Sequence, residues 1–415
     1  MTRLEVRLDD TSLADANVRV GELTRTVSRT GEAVRFRYDA SWLSHGRAFA
    51  LEPALPLLEG DQHPPAGHSL HAAFLDMSPD RWGRVLMERR EAMEANDAGR
   101  PMRVLRDFDF LVGVNDGTRM GALRLFDPAS GSYVDARELG APPLARLREL
   151  EAIVAALDRG DAETRAEYRQ WLQALVLPGT SLGGARPKAS FTDDDGSMWL
   201  AKFPAADDRR DVGLLEFLAT TLARDAGIDV VDVRRERYSE RGHTFMAKRF
   251  DRVAGSRRAF ASAMTLLQRR DGDGGSYPEL AELVTTIAPA DAIEAQLEQL
   301  YRRVLFNVLI GNRDDHWRNH GFLRTPRGWV QSPAYDLVPN PDRDVHAIAI
   351  DEGDPRPDSA RLRATAAYYR LRGTQLERVE REVRGAVAQW RVLARRLHVS
   401  ALDQQVLATV IDPDR

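Results

Sequence analysis

The residues best suited to chemistry lie in one short stretch, where Arg313 and Asp314 are followed by Asn319, five positions after the aspartate. In phosphoryl transfer, a carboxylate orients the attacking hydroxyl, while an amide oxygen further along the same loop holds a Mg²⁺ ion beside the phosphates. Asp314 and Asn319 have the residue types and the spacing for these two tasks. The sequence therefore predicts Asp314 as the catalytic base and Asn319 as a metal ligand.

Three further residues complete a set for phosphoryl transfer from ATP. Asp336 follows a predicted hairpin that turns at 326–328, and it would supply a second metal-binding carboxylate. Lys202 lies on a predicted strand and would neutralise phosphates, with Glu216 on the next helix as its ion-pair partner. Taken singly, this lysine would be a solvent-exposed residue of a strand, and this glutamate an acid on the surface of a helix. The order Lys, Glu, Asp, Asn, Asp is nevertheless typical of protein kinases.

Two alternatives give the same residues other tasks. The first is a metal-dependent hydrolase, whose ligands would be Asp314, Asp315, His316 and His320. The two histidines would share a helix face only if their stretch were helical, and Gly311 argues against a helix there. In the kinase interpretation, His316 instead orients the catalytic loop by hydrogen bonding. The second alternative is a pseudokinase that serves as a binding and repression module, which would not need the complete catalytic set.

In the N-terminal half, hydrophobic periodicity predicts the elements of a small sheet and a helix. Apolar residues alternate with polar ones over 4–8 and again over 34–38, as expected of half-buried strands. Ser78 directly before Pro79 has the form of a helix N-cap with proline in the first turn. A turn at 193–196 between two apolar segments predicts a hairpin, whose second strand carries the lysine of the kinase set.

The C-terminal half is predicted to be mainly helical. Apolar residues at helical spacing over 293–309 predict a long helix that stops at Gly311, immediately before the catalytic stretch. Two later helices carry capping-box patterns that begin at Thr374 and at Ser400. The predicted catalytic loop therefore follows directly from the end of a buried helix.

Composition narrows the class of protein. Apolar residues make up 43% and charged residues 29%, as in folded globular chains. With 59 basic against 63 acidic residues, the net charge of −4 argues against direct wrapping of nucleic acid. The absence of cysteine excludes thiolate nucleophiles and disulfides and fits a reducing compartment. Because no run of about 18 apolar residues occurs, no membrane span is predicted, and we expect a cytoplasmic protein.

Several segments resemble the HipA family of toxin kinases, which are the toxin halves of type II toxin–antitoxin pairs. The matching segments are 74–79, 181–188, 200–204, 249–252, 311–319 and 332–336. The resemblance spans nearly the whole chain. It implies an α+β, two-lobed protein-kinase-like fold with a β-rich N-terminal subdomain over 1–135, an ATP-binding sheet over 136–250 and a mainly helical catalytic lobe over 251–415.

The resemblance implies ATP and Mg²⁺ as the ligands of the site. It gives Asp314 the role of catalytic base and Asn319 and Asp336 the role of Mg²⁺ ligands, in agreement with the roles inferred from their spacing. It also implies that Lys188 contacts the phosphates from a loop. The segment from Lys248 to Phe250 resembles the hinge that holds adenine, where an apolar wall lies beside backbone amides.

Ser181 occupies the position at which members of the family autophosphorylate. A phosphate there would repel the phosphates of ATP and compete for nearby basic groups, so it would withdraw the loop and inactivate the enzyme.

The resemblance further implies two kinds of partner. One is a HipB-like DNA-binding antitoxin, which would bring the kinase to DNA only indirectly, because no helix-turn-helix with a basic face is visible in this sequence. The other is a protein substrate; aminoacyl-tRNA synthetases are substrates of the family.

Overall fold

The computed structural model of the chain describes residues 1–28, 31–136, 141–159, 162–176 and 186–415. The strands are β1 (Thr2–Leu8), β2 (Val18–Ser28), β3 (Gly31–Tyr38), β4 (Leu123–Asp127), β5 (Ser132–Tyr133), β6 (Lys188–Thr192), β7 (Met198–Lys202), β8 (Val233–Ser239), β9 (Gly242–Lys248), β10 (Arg252–Val253), β11 (Ser256–Arg257), β12 (Phe260–Ser262), β13 (Gly321–Thr325) and β14 (Gly328–Gln331). The helices are α1 (Ala40–Leu43), α2 (Ala72–Leu75), α3 (Arg81–Asp97), α4 (Asp107–Val112), α5 (Leu147–Leu157), α6 (Tyr168–Val176), α7 (Val212–Asp225), α8 (Ala263–Leu266), α9 (Tyr277–Ile287), α10 (Ile293–Ile310), α11 (Ser359–Ala364), α12 (Gly373–Ala388), α13 (Trp390–Arg396) and α14 (Ala401–Leu407). None of these helices is long and apolar enough to cross a bilayer.

The chain forms two compact units, each built from two segments. Unit 1 contains Met1–Ala206 and Lys248–Ala261, and unit 2 contains Asp207–Ala247 and Ser262–Arg415. Each unit combines two separate chain segments, whereas the three domains expected from the sequence are continuous. The bounds of those three domains stay a prediction.

Unit 1 opens with a five-stranded sheet in the order β3-β2-β1-β4-β5. The predicted alternation is confirmed on β1, where Leu4, Val6 and Leu8 are buried. Gly21 on β2 lies opposite Val6, and a Cβ atom at this glycine would lie 2.4 Å from the ring of Phe36. The absence of a side chain at that position therefore makes room for an aromatic ring in the core of the sheet.

The helix predicted after Ser78 forms, but the predicted cap is wrong. Helix α3 begins at Arg81, and its N-cap is Asp80, whose Oδ1 accepts a hydrogen bond from the Gly83 amide at 2.7 Å. The Ser78 hydroxyl instead donates to the carbonyl of Phe74 at 2.8 Å. Since aspartate and serine cap helices equally well, their order along the chain does not decide which one is used.

The hairpin predicted around 193–196 is confirmed as β6 and β7. Gly196 adopts a φ of 78°, and its amide donates to the carbonyl of Asp193 at 2.9 Å. The antiparallel register places Lys188 opposite Lys202, so the two lysines lie on the same face of the hairpin.

Unit 2 is built around α10, which packs against α9 and α12. The predicted stop at Gly311 is confirmed, because this residue closes the helix with a left-handed φ of 71° and donates its amide to the carbonyl of Asn307. Of the two predicted capping boxes, Ser400 caps α14. The prediction at Thr374 is wrong, since α12 already begins at Gly373 and has no side-chain cap.

Candidate active site

The predicted catalytic stretch is a loop tied to the last turn of α10. The amide of Asn312 donates to the carbonyl of Asn307 at 2.9 Å, and its Nδ2 donates to the Oδ1 of Asn307 at 3.1 Å. Gly311 turns the chain away from the helix axis, which a left-handed residue achieves in a single step. The loop then carries the adjacent acids Asp314 and Asp315. It therefore starts from a fixed point on a buried helix.

Asp315 is a buried anchor of this loop. Its Oδ2 accepts hydrogen bonds from the Tyr277 hydroxyl at 2.6 Å and from the Asn307 Nδ2 at 3.0 Å, and it lies 2.7 Å from the His320 Nε2. Burial raises the pKa of Asp315, but the pairing with His320 and the hydrogen bonds outweigh it and leave the pKa below its usual value. Asp315 is therefore ionised and holds three elements of unit 2 together.

The same contacts remove support for the hydrolase interpretation. Asp315 and His320, two of its four proposed ligands, are buried and bond to each other. Among the residues that the structure describes, no three His, Asp or Glu side chains converge as they would around a metal ion.

Asp314 is the more exposed of the two acids, with 52% of its side chain accessible. Partial burial raises its pKa. Arg343 and, more weakly, His316 lower it, while the negative charges of Asp336 and Asp315 raise it again, so that the net pKa lies above the usual value. A carboxylate that faces solvent and has an increased proton affinity is suited to accept a proton from a bound hydroxyl.

The ring of His316 was predicted to orient the loop, and the structure finds a hydrogen bond at its backbone. The carbonyl of His316 accepts the amide of Asn319 at 2.8 Å, at the start of a 3₁₀ turn over Trp317–Asn319. The Nδ2 of Asn319 points toward the carbonyl of Asp314 at 3.4 Å. The role of Asn319 as a metal ligand stays a prediction. The role of the histidine ring stays a prediction.

Asp336 follows the predicted hairpin in the chain, and this hairpin is confirmed as β13 and β14. The Tyr335 hydroxyl donates to the carbonyl of Arg318 at 2.5 Å and so ties this segment to the catalytic loop. Asp336 has a φ of 59°, a left-handed conformation that costs a residue with a side chain about 1 kcal/mol or more. The negative charge of Asp336 contributes to raising the pKa of Asp314.

Unit 1 holds the lysines predicted to contact phosphates. The Nζ of Lys188 lies 2.9 Å from the Oδ2 of Asp80, and both side chains are buried. The contact is an ion pair whose angle departs from that of a hydrogen bond. Lys202 is half-buried on the neighbouring strand. In this structure the ammonium of Lys188 therefore lies against the acid that caps α3, and a bound phosphate would compete with this carboxylate for its charge.

The predicted hinge segment is held by a buried ionic cluster that the sequence patterns did not predict. Arg249 binds Asp251 through two nitrogens at 2.8 and 2.7 Å, and Arg252 contacts the same carboxylate at 2.6 Å. Burial raises the pKa of Asp251, but the two arginines more than offset it and hold the pKa well below its usual range. The amide of Arg249 also donates to the carbonyl of Met198 at 2.9 Å on β7. Phe250 is thus flanked by anchored residues.

The predicted site residues are distributed over both units. Unit 2 contains Glu216, buried on α7, together with Asp314, His316, Asn319 and Asp336; unit 1 contains Lys188, Lys202, Lys248 and Phe250. Ser181 lies outside the residues that the structure describes.

Comparisons with known proteins agree with this picture. A family profile described as the HipA-like C-terminal domain matches residues 180–391, and one described as the HipA N-terminal domain matches residues 13–124. The serine/threonine-protein kinase toxin HipA of Shewanella oneidensis is 25% identical over 188 residues, which are 39% of this chain and 43% of that protein. A protein of Sinorhizobium fredii named as a candidate kinase, Y4dM, is 28% identical over 161 residues, 34% of this chain and 37% of its own length. The matches thus span less than half the length of these relatives.

One solved structure matches over nearly the full length. It is described as the complex of HipA, HipB and operator DNA from the toxin–antitoxin system of Shewanella oneidensis, with a TM-score of 0.62 and 18% identity, covering 98% of this chain and 94% of that one. At this identity the likeness concerns the fold. The predicted resemblance and the α+β kinase-like fold are both confirmed.

Proposed function

The chain belongs to the HipA family, and from that premise we propose that it is an ATP-dependent serine/threonine protein kinase acting as the toxin of a type II toxin–antitoxin pair. One observation carries the proposal. A solvent-facing acid, Asp314, stands beside a buried, ionised acid that fixes its loop, and the charge of Asp336 acts on it. A base held in this way is what phosphoryl transfer to a hydroxyl requires.

In the proposed reaction, the acceptor hydroxyl donates its proton to Asp314 as its oxygen attacks the γ-phosphorus of ATP in line with the departing ADP. Asn319 and Asp336 would hold Mg²⁺. Their amide and carboxylate oxygens are the hard donors that this ion prefers, and Mg²⁺ typically takes only one or two protein ligands, with phosphates and water completing its shell. When bound, the ion neutralises charge on the phosphates.

The remaining residues would bind the nucleotide. We assign Lys202, in an ion pair with Glu216, and Lys188 to the phosphates, and Lys248 to Phe250 to the adenine. The Lys188 ammonium lies 2.9 Å from the Oδ2 of Asp80, so a bound phosphate would share this cation with the carboxylate or displace it. The buried cluster around Asp251 supports the hinge assignment, because a rigid backbone there would present fixed hydrogen-bonding groups to a base.

The partners follow from the family. The solved relative was crystallised with HipB and operator DNA, and we propose a HipB-like antitoxin for this chain, which would contact DNA only through that partner. The substrate would be a cytoplasmic protein, with an aminoacyl-tRNA synthetase as the first candidate, and Ser181 would be the site of autophosphorylation.

The test uses the purified full chain with Mg-ATP labelled either at the γ- or at the α-phosphate, followed by mass spectrometry of the product. We expect incorporation of the γ-label alone, its loss when EDTA removes the metal, and a phosphate on Ser181. Incorporation of the α-label would point to nucleotide transfer instead of kinase chemistry. ATP binding without incorporation of either label would favour the pseudokinase alternative.

A further inference from the structure

Unit 2 has a pocket of about 310 Å³ with the proposed base on its wall. The apolar residues Met264, Trp317 and Ile348 line part of it, and Arg343, another lining residue, forms an ion pair with Asp314. A hydroxyl that reaches this base must enter beside the guanidinium of Arg343. The arginine therefore lies where the reaction would take place, and none of the roles assigned above uses it.

The backbone around Arg343 is fixed to the catalytic loop. Its carbonyl accepts a hydrogen bond from the Arg313 guanidinium, the amide of Asn340 donates to the Gly311 carbonyl at 2.8 Å, and the amide of Ala347 donates to the Arg313 carbonyl at 3.2 Å. Contacts on both sides of residue 343 thus hold this segment against the residues that precede the base. The arginine side chain is presented to the site by a scaffold and not by a free loop.

The side chain itself is free to change partner. Its Nη2 lies 2.9 Å from the Oδ1 of Asp314, and 51% of the arginine and 52% of the aspartate side chain are accessible. An ion pair so exposed contributes little to stability, because water competes for both charges. An anion that binds beside Asp314 and attracts the guanidinium more strongly would therefore replace this carboxylate as its partner at a small cost in free energy.

The geometry identifies that anion. In a reactive complex the acceptor oxygen is hydrogen-bonded to the base and lies about 3 to 3.5 Å from the phosphorus that it attacks. A guanidinium 2.9 Å from the base is then within one side-chain movement of the oxygens of the transferring phosphoryl group. Its planar fork of donors matches a phosphate, on which negative charge is spread over three equatorial oxygens in the transition state.

We propose that Arg343 is a catalytic residue of this chain, which rests on Asp314 before the reaction and binds the transferring γ-phosphoryl group in the transition state. The inference rests on the proposed kinase function. The bond between the γ-phosphorus and the bridging oxygen breaks, with its electron pair leaving on ADP, while the acceptor oxygen forms the new bond and its proton moves to Asp314. Arg343 stays protonated throughout and supplies positive charge and hydrogen bonds.

The test measures single-turnover transfer of the γ-label from Mg-ATP onto the chain itself over a range of ATP concentrations. Wild type is compared with Arg343→Ala, Arg343→Gln and Arg343→Lys. The matched control is Arg356→Ala, which removes an arginine of the same unit that is 71% exposed and paired with Asp354. Unfolding curves of all variants establish that they are folded.

The proposal predicts that Ala and Gln lower the maximal rate about 10²-fold or more, with half-saturation by ATP within about threefold of wild type, while Lys retains part of the rate because it keeps the charge without the fork. The control should match wild type. A maximal rate in Arg343→Ala within about twofold of wild type would overturn the inference, as would a weaker half-saturation by ATP at an unchanged maximal rate. If wild type and control transferred no label, the kinase function would fail and this inference with it.

Discussion

Adjacent aspartates, Asp314 and Asp315, have opposite properties in this protein because their surroundings differ. The first is half-exposed and has a raised pKa, while the second is buried among hydrogen-bond donors and has a lowered one. Such a division between neighbouring carboxylates is how one site provides both a proton acceptor and a permanent charge.

Replacing the buried acid should therefore reduce stability more than replacing the exposed one. For Asp315→Asn we expect a loss of about 2 to 4 kcal/mol in the free energy of unfolding, because the charge paired with His320 disappears and the three donors keep only a neutral acceptor. Asp314→Asn is the matched control and should change stability by less than about 1 kcal/mol. Urea unfolding of both variants measures the difference. Equal stabilities would show that the Asp315 network does not anchor the loop.

His346 should make the stability depend on pH. It is buried, and burial lowers its pKa to about 4, although the charge of Asp315 opposes the shift and those of Arg313 and Arg415 reinforce it. Between that value and the unfolded value of about 6.5, the unfolded chain binds the proton and the folded chain does not. Stability is thus fully present above about pH 6.5 and falls as the pH drops toward 4, by about 3 kcal/mol from this residue.

The check is the free energy of unfolding of wild type and of His346→Leu from pH 7.5 down to 4.5. The leucine variant should lose less stability than wild type over this interval, whatever the other groups contribute to both. His63→Gln, at an exposed histidine of unit 1, is the control and should follow wild type. Parallel curves for wild type and the leucine variant would mean that the buried imidazole takes up its proton in the folded state.

At the residue scale, the sequence predicted which side chains could do chemistry but not which acid would anchor the loop. Residue types and spacing pointed to Asp314, Asn319 and Asp336 because the chemistry itself fixes those types. The task of Asp315 depends on Tyr277, 38 positions away in the chain, and on the helix end that turns the loop.

At the scale of elements, the geometry of the candidate active site depends on how α10 ends. Gly311 has a φ of 71°, and a Cβ atom there would lie 2.8 Å from the Cβ of Val410 and 3.1 Å from its carbonyl oxygen. Conformation and space both require glycine at this position. Its carbonyl also accepts the amide of Asn340, so the segment that carries Arg343 depends on it as well.

Gly311→Ala should accordingly destabilise the fold by about 2 to 4 kcal/mol, since left-handed strain and overpacking add. Gly385→Ala in α12 is the matched control. That glycine is exposed within a helix, where a methyl group would point into open space, and alanine there should raise stability by about 0.5 to 1 kcal/mol. Thermal unfolding of the two variants should move in opposite directions. A neutral effect at Gly311 would mean that the helix can end elsewhere without cost.

The elements themselves were largely predictable because hydrophobic periodicity is local. The strands of the N-terminal sheet, the hairpin before Lys202 and the long helix α10 all follow from it. The helix caps were less predictable: Asp80 replaced Ser78 at the start of α3, and its other carboxylate oxygen lies against Lys188, more than a hundred positions downstream. A pairing of this kind is decided by tertiary structure, which no local pattern contains.

At the scale of the whole molecule, the fold could be predicted because several short segments typical of one family occur together. No single segment was sufficient for that prediction. The chain order of lysine, glutamate, aspartate, asparagine and aspartate, which is typical of protein kinases, is improbable by chance, and the family profiles over 13–124 and 180–391 agree with the family that these segments predicted. The organisation into two discontinuous units was not predictable from the chain order, because segment 248–261 belongs with residues far upstream of it.

The measurement that tests the central claim most directly is the single-turnover rate of γ-phosphoryl transfer from Mg-ATP by the full chain and by its Asp314→Asn variant, with ATP binding followed in parallel. Loss of a general base should slow transfer about 10² to 10⁴-fold and leave ATP affinity nearly unchanged. Asp291→Asn, at an exposed acid of the same unit that pairs with Arg327, is the control and should transfer at the wild-type rate. Transfer by Asp314→Asn at the wild-type rate would contradict the assignment of the base and, with it, the account of this site.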